Sequence, residues 1–494
     1  MSTSSVNFIP IKAIGLSVLF ICSILLLSVN VLAVYVHYEH GSTSLTLFRP
    51  QSHILTNVNV LTLEDKPVLS DQAVIIRDGV IEAVQSSALP LPGDLPVVNG
   101  SGHFVMAGLN DLHVHVLDRS YAKMALAAGV TTLRNMGGYR YHLKWRDELE
   151  QGDWFGSQLV LSSPIFNSVE QGDPLSHFTV NSPQRARQAV RNYINQGYDF
   201  IKVYEGLHAE VYEAVLNEAM QLGVSVAGHP SYDLMQQNLA AHASLASFEH
   251  VEEVFDGFLQ QQPNPQKVML AADFLRENEV PLIPTLAVNQ ELTLLSTQKQ
   301  VYLTQQDLSV INPFARMVYE QTSFRRWLGA SAELGEYNLE VDDYLNELTL
   351  SLYEQGVTLA LGSDAGALVD VPGPATIREA LLMIEAGIPV REVLRSATIN
   401  AAAVLNRSNE LGRVARGYRA DYLVVFNNNP LTDPETMQQP QMVIQDGRLF
   451  TRAELEILQN EGRQHSSLLV SVSRHLLHLL MDRIDSACFT TESK

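Results

Sequence analysis

Cysteine is nearly missing from this chain: there are two in 494 residues, Cys22 and Cys488. So few leave no disulfide framework, and a cysteine-based zinc site is excluded with it. Any metal must therefore be held by histidine and oxygen donors. Basic residues are also scarce, 33 Lys and Arg against 54 Asp and Glu, for a net charge of −21. Phosphate neutralisation needs clustered Lys and Arg, so the balance argues against a nucleic-acid partner and reads as a well-solvated surface. Apolar residues, by contrast, make up 46% of the chain. That suffices for a large core, and the length suits a barrel-sized domain with a smaller companion.

Charge is absent altogether from residues 13–36. As a helix this run spans about 36 Å at 1.5 Å per residue, enough to cross a bilayer with some tilt. Lys12 precedes it, and Glu39 and His40 follow, which favours an inside amino terminus and an exported body, periplasmic or extracellular. The rival is a cleaved signal peptide ending at Val31-Leu32-Ala33 and a secreted product, for which the run is long. Cys22 falls inside it as a bilayer-facing residue.

Residues 54–63 and 72–84 alternate or run apolar and break at Asp78-Gly79, the signature of a hairpin. A matching pair, 420–426 and 440–448, carries a second Asp-Gly at 446–447. One small β domain built from both chain ends, with the middle inserted, accounts for both. The expected division is an anchor or signal at 1–40, β-sandwich parts at 41–103 and 406–452, a barrel at 104–405 and a helical tail at 453–494.

In that middle, strand candidates at 108–116, 130–136, 158–166, 199–204, 224–229, 245–250, 280–287 and 357–364 alternate with helical stretches. The fold class expected is therefore α/β, a parallel (β/α)8 TIM barrel. Val211, Val215, Ala219 and Leu222 recur at helical spacing as core packing. The polar, helix-rich excursion 288–350 is long for a connection. It is expected to cover the barrel mouth, or else to form an interface. In the tail, Leu468, Val472, Leu476, Leu479 and Leu480 make an amphipathic stripe. His475 and His478 lie on the same helix, read as packing rather than as a metal pair.

The stretch that organises the middle is Gly108-Leu109-Asn110-Asp111-Leu112-His113-Val114-His115. At the end of a strand, period-two geometry puts His113 and His115 on one side, within reach of one divalent cation. At the same ends of later candidate strands stand Lys202, His229, His250 and Asp364, and in a barrel such carboxyl ends converge on the mouth. Lys202 shares the inward parity of Phe200 and Tyr204, so its ammonium would sit inside the barrel, where burial favours the neutral amine. A neutral amine near metal ions takes up carbon dioxide as a carbamate, whose two oxygens can bridge two cations. Charge counting fits: two divalent ions are offset by the carbamate, Asp364 and a hydroxide.

The ordered pieces Gly-Leu-Asn-Asp-Leu-His-Val-His (108–115), Ala-Gly-Val-Thr-Thr-Leu-Arg (128–134), Ile-Lys-Val-Tyr (201–204), Ala-Gly-His-Pro (227–230), Phe-Glu-His (248–250), Gly-Ser-Asp-Ala-Gly (362–366), Ala-Thr-Ile-Asn-Ala-Ala (397–402) and Ala-Asp-Tyr-Leu-Val (420–424) span roughly residues 52–452. This set resembles the amidohydrolase superfamily, in its imidazolonepropionase-like and Xaa-Pro dipeptidase-like, prolidase-related branch. The resemblance implies a (β/α)8 barrel with a composite β-sandwich and a metal centre. One ion would take His113, His115, Lys202 and Asp364, and the other Lys202, His229 and His250. Asp364 would accept the proton from the attacking water and pass it to the leaving group. Zinc is the first expectation, though such donors also accept manganese, iron or cobalt.

The implied reaction is hydrolysis of an amide bond in a small-molecule substrate, a dipeptide or N-acyl amino acid. Alternatives are a deaminase, a hydrolase of cyclic amides, lactones or esters, and a membrane-tethered barrel without catalysis. Three departures from the family pattern touch no ligand: Ala107 where proline is common, Asn135 where aspartate is common, and Pro-Ser-Tyr after His229. Tyr139 and Tyr204 are either pocket or packing residues. Oligomeric state has no signature.

Overall fold

Backbone hydrogen bonds pass from strand to strand until they return to the first, and that closure is what gathers the site. The structure is a computed structural model describing residues 43–45, 52–173, 175–420, 423–445 and 447–488. The barrel opens with strands Leu109–Val114, Val130–Asn135 and Gln158–Leu161, paired in parallel. Ser163 N–H then donates to the Phe200 carbonyl at 2.8 Å. Strands Phe200–Val203, Ser225–Gly228, Leu245–Glu249 and Leu282–Ile283 continue in parallel. The ring closes through residues 359–361: Ala360 N–H donates to Leu282 O at 2.9 Å, and Leu112 N–H donates to Leu361 O at 3.0 Å.

Three expected strands differ in extent, and two of the differences trace to proline. The candidate at 158–166 is two strands, Gln158–Leu161 and Ile165–Asn167, interrupted at Pro164. The candidate at 280–287 is reduced to Leu282–Ile283 between Pro281 and Pro284, whose nitrogens cannot donate to a ladder. The segment 357–364 makes isolated bridges rather than a regular strand, Leu282 to Leu359 and Val114 to Ala365. It still occupies the eighth place in the ring.

Helix Ala209–Leu222 buries Val211, Val215 and Ala219 and ends at Gly223 in the left-handed region, while Leu222 is exposed. The excursion forms helices Leu286–Thr297, Gln300–Gln305, Pro313–Gln321, Ser323–Leu328 and Ala332–Glu354. Tyr319 Oη donates to the Gly366 carbonyl at 2.6 Å, and Glu291 Oε1 accepts from Val369 N–H at 2.8 Å. The excursion thus grips the loop that follows Asp364.

Both chain ends contribute to one sheet. Its order runs Arg448–Thr451, Met442–Gln445, Leu423–Phe426, Phe104–Ala107, His53–Leu61, Val68–Arg77, Val80–Ser86, with Val97–Asn99 beside His53–Leu61. The joining pair is Phe104–Ala107 antiparallel to Leu423–Phe426. Leu55, Val60, Val74, Leu423, Val425 and Ile444 share a core of their own beneath it. At the first hairpin Asp78 and Gly79 both have positive φ, 49° and 75°, the two-residue turn whose twist matches the flanking strands.

The described part of the tail is helix Leu468–Cys488, in a unit separate from residues 42–466. Along the helix Leu468, Leu476 and Leu480 of the apolar stripe are exposed, whereas Val470, Ser473, His475 and His478 are buried. Which face is covered depends on what packs there, and the repeat of leucines does not specify that. The apolar run 13–36 lies outside the described residues. Among the described residues no helix is long and apolar enough to cross a membrane.

Candidate metal centre

His113 and His115 stand at the end of the first barrel strand, and Asp364 reaches them from the eighth segment. Asp364 N–H donates to the His113 carbonyl at 2.7 Å, and His115 N–H donates to the Ala365 carbonyl at 2.7 Å. The two chain segments are so close that a Cβ on Gly366, at φ +98°, would lie 1.9 Å from the His115 carbonyl oxygen. Only glycine fits there. Asp364 itself has φ +56°, a strained setting for a non-glycine residue, and its Oδ1 lies 3.0 Å from His115 Nε2 and 3.6 Å from His113 Nε2. Donors about 2.1 Å from a tetrahedral ion are about 3.4 Å apart, so these spacings suit a shared cation.

Beneath this group sits Asp111, which the sequence reading left without a role. It is wholly buried and accepts from Ser363 Oγ at 2.5 Å, Ser363 N–H at 3.0 Å, Thr376 Oγ1 at 2.6 Å and His113 N–H at 3.2 Å. Burial pushes its carboxyl up to about 6 against the pull of these donors. Asn135, at the end of the second strand, accepts from Val116 N–H at 2.8 Å and donates to the Gly137 carbonyl at 2.9 Å. It pins the turn after His115, so its amide serves where an aspartate could only accept.

The other predicted residues face this group across the mouth. Gly228, at φ +142°, packs against the backbone of Val203 where a Cβ would meet Val203 O at 2.1 Å, and His229 N–H donates to that same carbonyl at 3.0 Å. His250 turns out of the sixth strand at φ +64°, and its Nδ1 lies 2.7 Å from Thr285 Oγ1. The four imidazoles are in one chain of ring contacts: His115 to His113 at 5.7 Å, His113 to His250 at 4.5 Å, His250 to His229 at 4.6 Å. Tyr204 stacks on His229 with centroids 4.1 Å apart and so lines the site. Tyr139 instead stacks on Tyr141 at 5.2 Å.

Lys202 has the inward parity expected of it. Its side chain is wholly buried, its Nζ has no hydrogen-bond partner, and it lies 5.3 Å from the Tyr204 ring. Burial lowers its pKa to about 8, against the pull of Glu249 and Asp364. Burial also holds His113 and His250 well below the ordinary histidine range, with Lys202 adding to the effect at each. His229 goes the other way: burial opposes its charge, but Glu253 and Glu205 outweigh that and lift it to about 9.

Glu205 and Glu253 are residues that the sequence reading missed. Glu205 Oε2 and Glu253 Oε1 each lie 2.8 Å from His229 Nδ1. The only signal was position, since Glu205 follows the fourth strand and Glu253 lies three residues after His250. The described donors fall into two groups, His113-His115-Asp364 and Glu205-His229-Glu253, with the atoms of each within 4.8 Å of one another. Lys202 Nζ and His229 Nε2 are buried without hydrogen-bond partners. Orphaned polar atoms are costly in a protein interior, and this nitrogen and oxygen set fits divalent cations such as zinc or manganese.

Comparison with known proteins agrees with this architecture. A solved prolidase-like protein from Bifidobacterium longum superposes with a TM-score of 0.66 at 26% identity, covering 84% of this chain and 100% of that one. Bottromycin amidohydrolase superposes with a TM-score of 0.70 at 23% identity, covering 85% of this chain and 91% of that one. In sequence, the 5-methylthioadenosine/S-adenosylhomocysteine deaminase of Caldanaerobacter subterraneus subsp. tengcongensis is 22% identical over 412 residues, 77% of this chain and 86% of the relative. The amidohydrolase family itself matches residues 104–450. The chain belongs to the amidohydrolase family.

Proposed function

We propose that this chain hydrolyses an amide bond of a dipeptide or N-acyl amino acid at a site for two divalent ions, zinc foremost, bridged by a carboxylated Lys202. Metal-dependent hydrolysis in general is the chemistry of the family; the bond, the two ions and the carbamate are this reading's own. The observation that carries it is Lys202, an amine wholly buried and without a partner, electrostatically coupled to His113, His229 and His250. An unmodified ammonium there would add charge to a cluster of imidazoles. A carbamate, formed when Nζ bonds to the carbon of carbon dioxide and loses a proton, reverses that charge and supplies two oxygens.

In this reading His113, His115, Lys202 and Asp364 hold one ion, and Lys202, His229 and His250 the other. The ions, when bound, make water acidic and polarise the scissile carbonyl. Asp364 takes the proton of the attacking water at a carboxylate oxygen and delivers it to the leaving nitrogen, giving a carboxylic acid and an amine. Tyr204, stacked on His229, walls the same mouth and keeps that imidazole from turning.

The test is metal content together with turnover on a dipeptide and N-acyl amino acid panel, before and after Lys202→Ala. About two ions per chain, a carbamate resonance after exposure to 13C-labelled carbon dioxide, and loss of all three in the variant are expected. A single ion with unimpaired Lys202→Ala turnover would sink the bridged centre. Deamination is the second reading, favoured by the relative named a deaminase, and ammonia release without peptide cleavage would select it. From the charge-free run 13–36 we further infer an exported body, membrane-anchored or secreted after cleavage. Protease treatment of intact cells and of cells with the outer envelope permeabilised tests this, and a body protected in both would refute it.

A further inference from the structure

His113 has a second partner besides the cation position. Its Nδ1 lies 2.7 Å from Glu249 Oε2, and both side chains are sealed from solvent, 1% and 0% exposed. Glu249 Oε1 accepts from Arg134 Nη2 at 2.7 Å and from Ser247 Oγ at 2.5 Å. Arg134 is itself tied down, its Nη1 donating to Ser247 Oγ at 2.9 Å and its Nε to the Leu112 carbonyl at 2.5 Å. The chain of contacts therefore crosses the barrel interior from the second strand to the sixth and back to the first.

We propose that Glu249 is a positioning residue that makes His113 a metal ligand through Nε2, by keeping the ring proton on Nδ1. A carboxylate can only accept, so the short contact requires hydrogen on Nδ1. That leaves the Nε2 lone pair facing Asp364, 3.6 Å away. Arg134 holds the carboxylate out of the metal position, because both Glu249 oxygens are already engaged. A buried ion pair of this kind contributes little net stability, whereas a carboxylate behind a ligating imidazole fixes its tautomer and strengthens it as a donor. The inference rests on the metal reading of His113 above.

Glu249→Gln makes the test sharp. Arg134 and Ser247 still demand an acceptor, so the amide oxygen stays with them and the NH2 turns to His113. Nδ1 must then accept, the ring proton moves to Nε2, and the donor to the metal is lost. Zinc affinity, measured by competition with a chromophoric chelator, is expected to fall tenfold to a hundredfold. In metal-free wild type, solid-state 15N spectra of histidine-labelled protein, with His113 identified by comparison with His113→Asn, are expected to show the Nδ1–H form. A folded Glu249→Gln protein with wild-type zinc affinity, or an Nε2–H signal for His113 in the wild type, overturns the proposal. The wild-type spectrum decides the matter even if the variant does not fold. Wild type that takes up no zinc overturns the metal reading instead, and the tautomer then still reports on Glu249.

Discussion

The peptide N–H of Asp364 and the carbonyl of His113 are joined by a 2.7 Å hydrogen bond, so the last segment of the barrel is stitched to the first at two residues of the candidate donor group. Nothing regular holds residues 357–364 otherwise, since they bridge their neighbours only singly. The placement of Asp364 therefore depends on the groups around that stitch.

Asp111 is the foremost of these. It accepts two hydroxyls and two peptide N–H groups from residues on both sides of the stitch. Asp111→Ala strands the Ser363 and Thr376 hydroxyls in the interior, at about 1–3 kcal/mol each. Urea unfolding should give a loss of about 2–6 kcal/mol, and turnover should fall with it. Asp111→Asn, which keeps one acceptor, should lose less on both counts.

Stability should also vary with pH through Glu379. This carboxyl is wholly buried, accepts from Ala287 N–H at 2.7 Å, and is pushed up to about 8 by burial. From its ordinary value of 4.5 up to about 8, the unfolded chain has released the proton while the folded chain still holds it. The unfolded state thus binds fewer protons, and stability falls as pH rises through that window, then levels off. Unfolding free energies of Glu379→Gln and wild type, from urea denaturation, should diverge across it, the variant gaining on wild type by about 5 kcal/mol; parallel curves would rule this out.

Tyr204 should matter for the site more than for the fold. Its ring covers His229 at 4.1 Å, an aromatic contact worth about 0.5–1.5 kcal/mol. Tyr204→Phe is expected to retain most activity and Tyr204→Ala to lose about tenfold in kcat/KM, with circular dichroism unchanged in both. Equal losses in the two would assign the effect to the hydroxyl instead.

Tyr319 ties the long excursion to the loop behind Asp364 through its 2.6 Å bond to the Gly366 carbonyl. Tyr319→Phe removes one hydrogen bond of about 1 kcal/mol, so KM should rise roughly fivefold while kcat holds. Steady-state kinetics separate the two. A fall in kcat alone would place Tyr319 in the chemistry rather than in holding the loop after Asp364.

Much of the site can be read along the chain because a strand's side chains alternate. His113 with His115, and Phe200 with Lys202 and Tyr204, follow from parity alone, and barrel topology carries His229, His250 and Asp364 to the same mouth. Glu249 escaped because it directly precedes His250, and Arg134 because it lies 115 residues away in sequence. Glu205 and Glu253 escaped because acidic residues are common just beyond strand ends, and only the fold brings these two to His229. The shortened seventh strand was legible in principle, for Pro281 and Pro284 flank it.

Local pattern thus determined which residues could be strands, which of them point inward, and which chemistry histidine, lysine and aspartate make possible in a chain almost without cysteine. Those are properties of single side chains and of period-two backbone. Tertiary structure decided which carboxylate stands behind which imidazole, which nitrogen of His113 is left free, and which face of the tail helix is covered. Hydrogen bonding between side chains depends on ångström distances across the barrel, and no spacing along the sequence encodes them.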